Sequence, residues 1–174
     1  MTAVFEKMPS LRCREITQEE SLQSFDQADV RRIREHDLDF LLQFGFGFLR
    51  GDVLNAARYG VWSFRHSAEL PYPGVTPCIW PIFYGDLVTA AVLERLTDRR
   101  DGGIVLRSGS FRTALHSLRQ NIDDVCFGSA SWPAIVCREI QLGRATYLDM
   151  PKSSAPTTEP RSLSNGETLR LLLR

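Results

Sequence analysis

Two short stretches carry side chains able to stabilise charge and move protons. Ser63-Phe64-Arg65-His66 offers a hydroxyl, a permanent cation and an imidazole; Asp101-Gly102-Gly103 offers a carboxylate on a glycine turn. Arginine donates hydrogen bonds but does not exchange protons near neutral pH, whereas histidine and aspartate do. Donors held where negative charge develops, with a base in reach of the attacking group, are what transfer to a nucleophile requires. Successive side chains of a strand point to opposite faces, so Val61, Ser63 and Arg65 share one side and Trp62, Phe64 and His66 the other. His66 joins Ser63 and Arg65 only if the strand bulges or turns after Arg65. Asp101 reads equally as a functional carboxylate and as a turn residue chosen for its geometry.

The elements that would position these groups follow from hydrophobic pattern. Leu11–Ile16 suits a short strand, and Asp29 is a candidate helix N-cap before Val30-Arg31-Arg32-Ile33. Leu38–Phe44 is a nearly continuous apolar run closed by Gly45 and Gly47, the pattern of a strand buried on both faces of a parallel sheet. Leu49–Arg58 has helical spacing and ends at Gly60, and Val61–Phe64 is the next strand. Strand, helix and strand with short links form a right-handed βαβ unit, whose polar C-terminal strand ends are the usual ligand side.

A Pro/Gly-rich loop covers residues 67–77, and Pro77–Tyr84 suits a short helix disturbed at Pro81. Val88–Leu96 and Ile104–Phe111 follow as two strands, then a helical region from Thr113 to Gly143, broken near Gly128 and Pro133. Residues 151–165 are rich in Pro, Ser and Thr, which predicts a flexible tail, and Glu167–Arg174 carries two turns of helical pattern. Doubly wound folds open with a strand, a glycine turn and a helix. The first glycine here is Gly45, so that opening unit is expected to be lacking.

The expected fold class is therefore α/β, a partial doubly wound and mainly parallel sheet with a C-terminal helical segment and a flexible tail. Its divisions are an N-terminal extension (1–36), an α/β domain (37–146) and a tail with a short helix (147–174).

Composition narrows the function. The 174 residues are 43% hydrophobic and 24% charged, in the globular range. The formal net charge is zero, which gives no electrostatic reason to expect nucleic acid or an anionic membrane as partner. Cys13, Cys78, Cys126 and Cys137 form no C-x-x-C pair or zinc-ligand spacing, so no metal is expected and the thiols read as inert. No apolar run reaches the about 18 residues of a membrane span, and no leader-like segment precedes the domain. A reduced, cytoplasmic protein acting on a small molecule is the expectation. His36 and His116 read as surface or capping residues.

In order and spacing these motifs resemble the folate-dependent formyltransferase family over about residues 37–124. In that family a strand ending Asn-x-His-x-Ser is followed by a Leu-Pro-x-Tyr/Phe-x-Gly loop, a Thr-Gly-x-Thr strand and an Asp-x-Gly turn. Leu70-Pro71-Tyr72-Pro73-Gly74 resembles the loop, Gly85–Ala90 the start of the Thr-Gly strand, and Asp101-Gly102-Gly103 the turn. Trp62–Ser67 is most similar to a bacterial subgroup reading Trp-Ser-Phe-His-His-Gly-Asp.

The resemblance implies attack of an amine on the formyl carbon of 10-formyltetrahydrofolate as co-substrate, with an amino sugar as a plausible acceptor. It assigns Asp101 the proton-accepting role, puts Ser63 where the family has Asn, and puts Arg65 where it has its catalytic His. His66 stands one residue late. Pro73, Ala68, Ala90 and Val92 depart further from the pattern. A second reading therefore stands beside the enzyme: a truncated, non-catalytic relic or a binding module that associates through an exposed sheet edge.

Overall fold

The computed structural model describes residues 10–18, 22–45, 47–66, 78–98, 103–146, 164 and 166–168. The loop 67–77, Asp101, Gly102 and most of the expected tail lie outside the described residues. Within the tail, residues 166–168 form a helical turn, begun by a capping box. The Ser164 hydroxyl accepts the Glu167 N–H at 3.3 Å, and the Glu167 carboxylate accepts the Ser164 N–H at 2.8 Å.

Two sheets carry the chain. The smaller pairs β1 (Glu15–Gln18) antiparallel with β2 (Leu22–Phe25), and β2 parallel with β4 (Phe48–Leu49). The larger has the order β3 (Leu41–Gln43), β5 (Val61–His66), β6 (Val88–Arg95), β7 (Ile104–Arg112). Helix α1 is Gln27–Arg34, a 3-10 turn spans Asp52–Asn55, α2 is Ile79–Tyr84, α3 is Leu118–Ser129 and α4 is Trp132–Gln141.

The α/β class and the parallel β3–β5 crossover are as expected. The expected predominance of parallel pairing does not extend past β5: β6 runs antiparallel to both β5 and β7. Its first residues lie level with the end of β5, His66 facing Ala91, so the strand runs back along its neighbour. The link from Arg95 to Ile104 is a hairpin connection, and a link that short joins antiparallel strands.

Three local differences have plain causes. Helix α1 is capped by Asp26, whose side chain accepts the Ala28 N–H at 2.8 Å, while Asp29 accepts the Arg14 N–H at 2.7 Å instead. The expected helix over 49–58 is a strand and a 3-10 turn: Gly51 sits at φ +81°, outside any right-handed helix, and Arg50 N–H bonds to the Gln23 carbonyl. Strand β3 is short and half-buried, with Phe40 stacked on Trp62 at 4.1 Å and Phe44 exposed.

The two faces of the larger sheet bury different things. On one, Trp62, Ala91, Leu93 and Leu106 pack under α3 and α4 through Val125, Trp132 and Val136. On the other, Leu41 and Val61 meet Leu49, Leu54 and Phe25, while Val30 of α1 packs with Val53 and Ala56. That second apolar patch covers only the early part of β5; beyond it the face turns polar.

Candidate functional site

Alternation places Ser63 and Arg65 on this polar part of the face, and the parallel register sets Gln43 beside Ser63. The antiparallel register sets Glu94 opposite Ser63. Arg65 reaches across to it: Nη2 donates to Glu94 Oε2 at 3.3 Å, with 40% of the arginine side chain exposed and 13% of the glutamate. Arg65 Nε is buried without a hydrogen-bond partner. This cation is therefore neutralised by a neighbour yet keeps an unused donor.

Glu94 also lies against Gly103. A Cβ on Gly103 would lie 2.7 Å from Glu94 Oε2 and 3.2 Å from the Arg95 carbonyl, so a side chain there would push the Glu94 carboxylate aside and crowd the backbone. Gly103 is two residues from Asp101, which itself lies outside the described residues. Gln43, Ser63, Arg65 and Glu94 thus make one polar row across three strands, with the start of β7 against its far end.

His66 stands apart from that row. Its ring stacks on Phe64 at 5.7 Å on the face that Trp62 and Trp132 occupy, and Nε2 is buried without a partner. Burial alone pushes its pKa below the ordinary 6.5. The structure thus brings Ser63 and Arg65 together and keeps His66 across the sheet from them.

Sequence reasoning missed two features. Glu94 is one; its signal was a lone carboxylate on an apolar strand, at the position that alternates with Val92 and Ala90. The other is a buried polar clamp around Cys78, where the described chain resumes. Asn121 of α3 donates to the Cys78 carbonyl at 2.9 Å and accepts the Ala114 N–H at 3.1 Å. Its amide also meets the Thr89 hydroxyl at 3.1 Å, and Thr89 bonds to Thr113 at 2.9 Å. Cys78 is held at φ +62°, a conformation that L residues rarely adopt, and the clamp fixes its carbonyl. Among the described residues no three His, Cys, Asp or Glu side chains gather as metal ligands.

No protein-family model matches the chain. The curated proteins similar in sequence include two methionyl-tRNA formyltransferases. The methionyl-tRNA formyltransferase of Phenylobacterium zucineum (strain HLK1) is 29% identical over 141 residues, covering 79% of this chain and 45% of that protein. The methionyl-tRNA formyltransferase of Borrelia garinii subsp. bavariensis is 23% identical over 134 residues, covering 76% and 42%. The chain thus spans less than half the length of the curated relatives it matches. Among solved structures, a variant of HypX from Aquifex aeolicus superposes with a TM-score of 0.55 over 80% of this chain and 25% of that one, at 14% identity, which is a likeness of fold.

Proposed function

We propose, from the premise that this is a formyltransferase-like chain, that it binds 10-formyltetrahydrofolate and passes the formyl group to a small amine, an amino sugar being the first candidate. The observation that supports this reading is the Arg65–Glu94 pair, with Gly103, two residues after Asp101 in sequence, against Glu94. In this reading the amine nitrogen attacks the formyl carbon and forms the new C–N bond. The tetrahedral oxyanion is met by the exposed end of the Arg65 guanidinium and by the Ser63 hydroxyl. Asp101 takes the proton from the attacking ammonium, and the C–N bond to the folate N10 breaks as that nitrogen is protonated. His66, across the sheet, reaches the carbon only if the strand end rearranges on binding. Among the described residues no helix is long and apolar enough to cross a membrane.

The test is incubation with 10-formyltetrahydrofolate and a panel of amines, following tetrahydrofolate release, beside calorimetric folate binding. Turnover that is lost in Asp101→Asn is the expected result; the absence of both turnover and folate binding overturns the proposal.

One observation favours the second reading, a non-catalytic binding module. Arg65 does not exchange protons and is committed to Glu94, and the only imidazole of this strand faces away. Folate binding without turnover, with activity appearing in Arg65→His, supports it. The edge of β7 is where such a module would associate with a partner.

A further inference from the structure

We infer that the chain carries a second anion site, built to hold a phosphate group, where Arg34, Arg58 and Arg95 line one pocket of about 410 Å³. The three come from separate elements: the last turn of α1, the segment after the 3-10 turn, and the end of β6. The floor is Asn55, Ala56 and Ala57, and the single acid in the lining is Asp37.

Among the described residues Arg32, Arg65, Arg107 and Arg119 each pair with a carboxylate; none of the pocket's three arginines does. Each is instead oriented by a contact that leaves its charge unspent. Arg34 Nη2 donates to the Asp52 carbonyl at 3.4 Å. The Arg58 guanidinium lies over the Tyr59 ring, 5.2 Å from its centre. Arg95 passes over Gly60, where a Cβ would come within 3.0 Å of its Nε. Gly60, at φ +74°, thus leaves the room that brings the third arginine in.

Like charges gathered at one place repel, and a chain of zero net charge has no general need to gather them. Three arginines against one aspartate give the lining an excess of positive charge, which suits a phosphate dianion better than a monoanionic carboxylate, although Arg58 also borders a second pocket beside Asp39. Planar forks are also the geometry that phosphate oxygens take best. Ser63, Arg65 and Glu94 are not among the residues that line the pocket. It does not depend on the formyl-transfer reading.

The full chain titrated calorimetrically with inorganic phosphate, ribose 5-phosphate, ribose and sodium acetate tests the inference. Binding of the phosphates, weakening with salt, with no heat from ribose and much weaker binding of acetate, is expected. Affinity should fall at least about tenfold in Arg58→Gln and in Arg95→Gln, and only partly in Arg95→Lys. Tighter binding of ribose 5-phosphate assigns the site to an ester; equal binding assigns it to the free ion; both uphold phosphate recognition. No phosphate binding, acetate binding as tightly as phosphate, or affinity unchanged in both glutamine variants (each checked for a wild-type melting transition) overturns it.

Discussion

Glu94 and Arg95 are neighbours in sequence and opposites in surroundings. Glu94 points to the face of Ser63, is largely buried, and holds Arg65. Arg95 stands opposite Trp62 in register, is half-buried, and lines a pocket with two further arginines without a carboxylate partner among the described residues. Each abuts a glycine whose missing side chain makes the approach possible, Gly103 for Glu94 and Gly60 for Arg95. The difference teaches where charge serves the fold and where it is left for something else. A paired, mostly buried charge is costly to break, because removing one partner strands the other away from water. An unpaired, accessible charge contributes little to the fold, and so a cluster of them is free to meet a ligand.

That contrast can be broken in four ways, the largest expected effect first. Gly103→Ala drives a Cβ against both Glu94 and the rigid Arg95 carbonyl, and should cost about 1–3 kcal/mol in urea unfolding. Arg65→Ala leaves Glu94 without that cation and should cost about 1–2 kcal/mol, reduced from a fully buried pair because Arg65 is 40% exposed. Arg58→Gln and Arg95→Gln should each change stability by no more than about 0.5 kcal/mol, and in the stabilising direction at low salt, since they relieve repulsion. Equal losses at Arg65 and Arg95 would erase the distinction.

The smallest effect is a pH dependence. Burial favours neutral His66, so its folded pKa lies below the unfolded value of about 6.5. As pH falls below that value the unfolded chain takes up the proton first, and the stability held above it is lost down to the folded pKa. Thermal melts of His66→Phe between about pH 7 and about pH 5 should show a shallower decline than the parent; an identical slope removes His66 from the account.

What the sequence made legible was mostly the apolar half of the molecule. The strands over 61–66, 88–95 and 104–112, and the break between α3 and α4 beside Pro133, follow from alternation and punctuation that burial enforces. Direction was less legible. The antiparallel run of β6 depends on where α2 delivers the chain, although the hairpin length between β6 and β7 already pointed that way. On the site, alternation alone placed Ser63 with Arg65 and His66 opposite. Glu94 went unnoticed because a charge near a strand end looks like ordinary surface, and only the register shows it facing Ser63. The arginine pocket was invisible for a related reason: Arg34, Arg58 and Arg95 are scattered along the chain, and only folding brings them together.

The clamp at Asn121 has a consequence for the order in which the molecule assembles. Its partners Cys78 and Thr89 lie 43 and 32 positions away along the chain, and Ala114 only 7. Closing such long loops costs entropy before any bond repays it, so the distant contacts belong to the late stages of folding. Interactions absent from the transition state govern escape from the native basin rather than arrival. Stopped-flow chevrons of Asn121→Ala should therefore show a steeply raised unfolding rate beside a nearly unchanged refolding rate. This one amide would then act as a kinetic latch on the motif's loop.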